Sequence, residues 1–417
     1  MKRRPVLLRA LMASAAAAVV VLPLQGAAAP AADAGTLLTW TGKVDFVADG
    51  DTAVIDIWGD GTGPRAVRNN GIQAMETGQC HAASAKCAFN KLAPAGSKVT
   101  MKASKADVYA GGRPLRLVYN AAGVDIQKAL LDQGWVLPFT IPTDPINQPT
   151  YYQAGQIAAS KHLGLFNLAR PCKTGPYQTA KLKVWVSYDA DGDDLANLNG
   201  EYIRIYNAGT VAIPIGGWWL RTAAPEIFRF PSTTKVPANG FVTLHMGKGR
   251  ATATNFYWGL SAPKFPNPGM SNLLGAGGFL FDRDGDLRAW AMYPCLYSCT
   301  DPATGKVSLQ ADYNPPGDET ANWNLETVRV TNTSDAAVDL SHRVIQYKSW
   351  TWEIRTGTVL QPRETFVLHI GAGTQTRLVQ HWSKPRDILN NYDGAVELRT
   401  TEATRIACDT WGTGTCP

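Results

Sequence analysis

The second half of this 417-residue chain repeats itself, and that repeat limits its fold more than any other feature. "VSYDADGDDLANLNGEYIRIYNAGTVAIPIGGWWL" begins at Val186, and "ADYNPPGDETANWNLETVRVTNTSDAAVDLSHRVI" begins at Ala311. Aligned without a gap, their Tyr, Gly-Asp, Ala-Asn, Asn, Glu, Arg and Asn positions coincide. A one-residue adjustment brings "LHMGKG" at Leu244 onto "LHIGAG" at Leu368, and each copy ends in a cysteine pair, Cys295/Cys299 and Cys408/Cys416. A repeat of roughly 125 residues is too long for a solenoid unit. Short β-prone runs, frequent Gly/Pro turns and little helical periodicity point instead to one β-sandwich per copy, over 180–299 and 305–417.

Residues 35–175 read differently. "LLTWTGKVDFVADGDTAVIDIWG" gives two strands joined at "ADGD", and "AVRNNGI", "KVTMKAS" and "RLVYNAAGVDI" add more. "IQKALLDQGW" and "TYYQAGQIAASKHLGLF" have helical apolar spacing and glycine stops. Five strands with two or three helices suit a small barrel carrying helices, and "LARPCKTGPYQT" reads as a linker. The expected fold is mainly β and multidomain: an α+β barrel followed by two sandwiches.

The first 34 residues read as a signal peptide. Lys2, Arg3 and Arg4 precede the alanine-rich apolar run Leu7–Leu24, and Ala32-Asp33-Ala34 fits a cleavage site, with Ala28 a competitor. No later segment is long and apolar enough for a transmembrane anchor, so a secreted, extracellular protein is expected. Export permits disulfides. There are seven cysteines, an odd number, with no C-x-x-C spacing, so they read as staples with at least one left over. Cys80 has two sequence-compatible partners, Cys87 and Cys172. The net charge is +6, and residues 35–175 hold 14 Lys/Arg against 10 Asp/Glu; this is compatible with a polyanion but does not identify one.

Cleaving a phosphodiester requires neutralised phosphate charge, an activated water and help for the leaving oxygen. The barrel segment contains suitable groups in order: Asp49 and Asp51 at a glycine turn, Arg68 and Glu76 in "VRNNGIQAMET", then Tyr109, Arg113 and Arg116 in "DVYAGGRPLRLVY". Taken singly, each is an ordinary turn residue or solvated charge.

Together, Gly50-Asp51-Thr52, Arg68 through Glu76, Gly112-Arg113-Pro114-Leu115, Ala129-Leu130 with Gly134, and Gly164-Leu165-Phe166 resemble the staphylococcal nuclease (thermonuclease) family over about residues 45–168. The resemblance implies an OB-fold barrel, DNA and RNA as substrates, and a calcium-dependent phosphodiesterase that breaks the 5′ P–O bond. It makes Asp51, Gln73 and the Ala74 carbonyl metal ligands, with Asp49 a carboxylate behind them. Glu76 becomes the base or water-orienting group, and Arg68 and Arg113 the phosphate-binding arginines. Arg116 is a fallback for Arg113, and Tyr109, Tyr151 and Tyr152 are candidates for stacking on bases.

Gln73 stands where the family has an Asp. It keeps an oxygen donor and loses a charge, which weakens calcium or another divalent metal. Met75 replaces a proline and is expected to loosen the turn before Glu76. Two extra residues separate Tyr109 from Arg113.

"NLNGEYIRIYNAGTVAIPIGGWWL" resembles the lamin tail domain, through Asn197, Glu201, Asn207 and Gly217-Trp218. The second copy keeps Asn322, Glu326 and Asn332 but has Ser341-His342 in place of Gly-Trp. The resemblance implies immunoglobulin-like sandwiches that interact with a cell-wall, nucleic-acid or protein partner and catalyse nothing. "DADGDD" at 189–194 fails as an EF-hand, because Gly192 and Gly200 fall at the wrong loop positions, and reads as a solvated loop. His81, His245 and His369 read as structural. The leading expectation is a secreted nuclease. The alternative is a non-catalytic nucleic-acid-binding or cell-surface scaffold protein with a degenerate site.

Overall fold

Alternation of apolar and polar residues closes the first part of the chain into a barrel. The computed structural model describes residues 37–105, 109–141, 144–173, 175, 177–268 and 274–416. The signal-like segment 1–34 and Asp107 lie outside them. The strands are β1 (Leu38–Val47), β2 (Thr52–Ile57), β3 (Arg65–Asn69), β4 (Lys98–Ala103) and β5 (Arg113–Asn120). β1 pairs antiparallel with β2 and β4, β2 with β3, and β4 with β5. A parallel pairing of β3 with β5, Arg68 opposite Leu115, closes the five-stranded ring. A bulge between Val44 and Phe46 shifts the register of β1, so Phe46 is exposed while Val47 turns inward. Ala53, Ile55, Val67, Val99, Met101 and Leu117 fill the interior.

Three helices cover the barrel: α1 (Ala82–Leu92), α2 (Ile126–Asp132) and α3 (Gln148–Ser160). The Asp125 side chain caps α2, accepting the Lys128 N–H at 2.9 Å. α3 lies between the barrel and the first sandwich, so both sides of it are buried. Tyr151 packs into the barrel core and donates to Asp125 at 2.8 Å. Tyr152 points the other way, against Gly275 of the sandwich. The two tyrosines are therefore packing residues, 0% and 1% exposed, and are not available for stacking on bases.

Each sandwich packs one four-stranded sheet on another. In the first, 182–187, 202–207, 241–245 and 255–257 face 219–221, 227–229, 276–281 and 287–293. The second repeats the arrangement strand for strand, including the parallel pair in which Val367 lies opposite Val379 as Thr243 lies opposite Asn255. The repeated residues repeat their contacts. Glu201 accepts the N–H groups of Lys264 and Phe265, and Glu326 those of Ile388 and Leu389. Burial pushes these carboxyls up to about 8 and about 7, against the pull of the donors. Asn207 and Asn332 each donate to a turn carbonyl at 2.8 Å, and the His245 and His369 rings each meet an asparagine carbonyl at 2.8 Å. These conserved-in-both-copies polar residues hold loops to strands, as expected of structural histidines.

The copies differ where they touch. His342, in place of Trp, packs its ring 4.9 Å from Trp185 and shares Glu353 with Arg204 and Tyr202. The acidic loop is also part of this contact, which corrects the expectation of a solvated loop. Asp189 accepts from Gln346, and Asp191 accepts from Lys384, from the Thr351 N–H at 3.1 Å and from the Trp382 indole at 3.3 Å. Its charge is consumed by a cationic and aromatic face on the second sandwich.

Burial alone would raise the Glu353 carboxyl, but His342, Arg204 and Tyr202 together hold it down at about 2. A depressed folded-state value means that the folded chain binds fewer protons than the unfolded one between pH 2 and 4.5. The stabilisation is thus full above pH 4.5 and disappears as pH falls through 2, and it is worth roughly 3 kcal/mol at neutral pH. Glu353→Gln should lower Tm at pH 7, and the gap to the wild type should shrink steadily on acidification. A pH-independent gap in thermal melts would refute this account.

Candidate active site

Strand register brings the separated charged residues together. Asp51 immediately precedes β2, and Thr52 lies opposite Arg68 on β3. Arg113 lies two residues before Leu115, Arg68's partner across the parallel closure, and donates to the Thr52 hydroxyl at 3.1 Å. Asp51 is buried and 3.4 Å from the Arg68 guanidinium, and its other oxygen accepts the Ala74 N–H at 2.7 Å. Asp49 turns its carboxylate onto the Asp51 N–H at 2.9 Å. Burial, and then the neighbouring Asp51 charge, raise the Asp49 carboxyl. Gly50 sits at the tightest point: a Cβ there would lie 2.6 Å from that of Ala85 and 2.7 Å from that of Ala74. Only glycine lets the aspartate turn approach both α1 and the Ala74 turn.

Arg68 is only 4% exposed. Its guanidinium donates to the carbonyls of Asn69 and Ile72, each at 2.7 Å, and to Gln73 Oε1 at 2.9 Å. Burial draws it below the usual arginine value. It therefore holds the turn and projects positive charge into the site, with both terminal nitrogens already engaged. Half-buried Arg113 is better placed to meet a phosphate. The fallback does not apply: Arg116 is buried and stacks over Trp40 at 4.2 Å, away from Asp51. Tyr109 is exposed beside β5, paired with Pro114.

Gln73 links the cation to the acid. Its Oε1 accepts from Arg68, and its Nε2 donates to the Ala74 carbonyl and to Glu76 Oε1, each at 3.1 Å. The partners dictate this orientation, because a guanidinium only donates and a backbone carbonyl only accepts. The expected oxygen ligand thus presents its nitrogen to the other two donors. Asp51, the Ala74 carbonyl and Glu76 remain, and their hard oxygens fit a divalent cation such as calcium in kind, though not in the charge an aspartate at 73 would add.

Met75 does not loosen the turn. It is 1% exposed and packs in an apolar cluster with Leu137 and Phe166 of the first domain and with Trp219, Ala223 and Phe281 of the first sandwich. Packing supplies the rigidity that a proline ring would otherwise give. Beyond the turn, Cys80 is bonded to Cys172, which resolves its partner; the other pairs are Cys295–Cys299 and Cys408–Cys416, and Cys87 is free and exposed. Asp286 of the sandwich accepts the Cys172 N–H at 2.7 Å and lies 3.8 Å from the His81 ring.

Arg221 is the residue that reading the sequence missed. It ends the strand Trp219–Arg221 and is 1% exposed. Burial draws its guanidinium down to about 10, against the pull of the Glu76 and Asp51 charges. Its neighbours in "WWLRTAAP" carry no catalytic pattern, so nothing local could have marked it.

Met75→Ala should cost about 2–4 kcal/mol, the range for truncating a buried methionine. Urea unfolding should show the loss. Unchanged stability would mean that the turn does not depend on the cluster.

The family model for the Lamin Tail Domain matches residues 178–294 and 300–414. No curated protein matches the chain. The two matched segments are the two sandwiches and make up more than half of the sequence, so the chain belongs to the lamin tail domain family.

Proposed function

We propose that the barrel is an OB-fold of the thermonuclease type and that the chain is a secreted nuclease hydrolysing DNA and RNA. The sandwiches interact with a cell-wall or protein partner. The observation that carries this reading is the convergence of Asp51, Arg68, Glu76 and Arg113, from three separate stretches of sequence, around one turn. Two cations beside two carboxylates suit a phosphodiester, which needs charge neutralisation and a proton acceptor together.

In this mechanism Arg113 hydrogen-bonds a phosphoryl oxygen of the substrate. Exposed Glu76 orients a water and takes its proton as the water oxygen bonds to phosphorus, and the bond to O5′ breaks with O5′ taking a proton from solvent. Gln73, itself held by Arg68, donates to the Glu76 carboxylate and holds it in place. Calcium, held by Asp51 and the Ala74 carbonyl, would supply further positive charge at the phosphate. Tyr109 offers an exposed ring to a base.

The Gln73 nitrogen facing Glu76 is the one observation that favours a nucleic-acid-binding protein without catalysis. A DNA zymogram with calcium or EDTA separates the readings. The nuclease reading expects a cleared band that Glu76→Gln reduces by 10²-fold or more, and no clearing under any divalent metal would refute it. Gln73→Asp restores a negative ligand and should lower the calcium concentration for half-maximal cleavage about tenfold, equivalent to about 1.4 kcal/mol. An unaltered calcium titration would remove position 73 from the metal site.

A further inference from the structure

We propose that Cys80, His81, Cys172 and Asp286 form a zinc site in the reduced protein, so that one place in the fold is fastened either by a disulfide or by a metal. The site stands whether or not the barrel cleaves nucleic acid. Among the described residues, these four offer two sulfurs, a ring nitrogen and a carboxylate oxygen that all lie within 4.8 Å of one another. They come from three places: the loop after the Glu76 turn, the linker and the first sandwich. Cys80 and Asp286 are buried, His81 is half-buried and Cys172 is exposed.

The disulfide form already gathers the ligands. Asp286 Oδ1 lies 3.1 Å from Cys80 Sγ and 3.8 Å from His81 Nε2. A disulfide sulfur has no hydrogen to donate, so this buried carboxylate faces Cys80 without a hydrogen bond from it. The Cys172 and Lys173 N–H groups, at 2.7 and 3.2 Å, fix the carboxylate's orientation, as outer partners do for a metal ligand. His81 sits at φ 62°, an uncommon conformation for a residue other than glycine. It also lines a cavity with Trp135, Asn167 and Arg170, which gives a cation a way in.

The donor set selects the metal. Calcium takes oxygen ligands, whereas two thiolates, an imidazole and a carboxylate suit zinc. Four protein ligands close a tetrahedron, as in a structural zinc site. Tetrahedral zinc keeps its ligand atoms about 3.2–3.8 Å apart, so the two sulfurs must part by roughly 2 Å, which rotation about their Cα–Cβ bonds supplies. The exchange balances with a dithiol as reductant. One of its thiolates attacks Cys172 Sγ, and Cys80 leaves as a thiolate. Its second thiol then displaces Cys172, so the reductant becomes a disulfide and the protein gains two thiols. Zinc binding releases both thiol protons to solvent. The metal ties barrel, linker and first sandwich at one point, where the disulfide ties only the first two.

The test reduces full-length wild type with a phosphine, which adds no competing thiol, and titrates zinc against a chromophoric chelator, with cobalt as an optical probe. Reduced wild type should bind one zinc per chain, and its cobalt form should show thiolate charge-transfer and tetrahedral visible bands. The disulfide form should bind about a hundredfold more weakly, and His81→Ala and Asp286→Asn should each weaken binding by about tenfold or more. Changing the other bonded cysteines together, Cys295→Ser, Cys299→Ser, Cys408→Ser and Cys416→Ser, should leave the affinity within about threefold. No zinc on folded reduced wild type, equal affinity with the disulfide intact, or full affinity in either ligand variant would each overturn the inference. If the reduced chain loses its fold without metal, zinc should restore its near-ultraviolet circular dichroism, and both ligand variants should block the restoration. No restoration, or restoration that the variants do not block, would overturn it equally.

Discussion

The apolar contact between the barrel and the first sandwich is the constraint on which the rest of the structure depends. Met75, Leu137 and Phe166 enter it from one side, and Trp219, Phe281 and Met292 from the other. Domains within a chain usually meet through modest polar surfaces and move relative to one another. Here α3 and Met75, which lies in the turn between Ala74 and Glu76, pack against the second domain, so the order of the candidate site depends on the contact. Hydrogen bonds at its edge reinforce it: Thr140 donates to the Gly275 carbonyl at 2.6 Å, and Gln156 both donates to Pro294 and accepts from Leu296 at 2.7 Å.

The contact between the two sandwiches is of a different kind. Buried and half-buried charges dominate it: Asp189 and Asp191 toward Gln346 and Lys384, and Glu353 toward Arg204 and His342. Such contacts are specific in geometry and sensitive to acid, while the apolar one is neither. The chain therefore joins its first two domains by packing and its last two by paired charges. The Cys80–Cys172 disulfide, closing a separation of 92 residues, fastens the linker where the first contact begins.

Much of this was legible in the sequence because the relevant signals are local or periodic. Alternation marks the strands, and two matching glutamates and asparagines mark equivalent loop contacts in the repeat. Asp51, Arg68 and Arg113 could be ordered along the chain because short motifs carry them. Errors arose where a residue's neighbours come from another domain. Tyr151 and Tyr152 look like an aromatic pair on an exposed helix until a sandwich covers its second face. Met75 looks like a missing proline until Trp219 and Phe281 pack against it. The acidic run looks solvated until Lys384 meets it.

The sequence by itself determined the β architecture, the duplicated sandwich and the set of charged residues proposed to act on a phosphodiester. Periodicity and motif order are properties of the chain and survive without coordinates. Only the tertiary structure decided how those residues are used. It turned the Gln73 amide, engaged Arg68 on backbone carbonyls, set Arg113 beside the Thr52 hydroxyl and buried Arg116 over Trp40. The physical reason is that hydrogen-bond direction and the field at a buried charge depend on distances between residues far apart in sequence, and only folding fixes those distances.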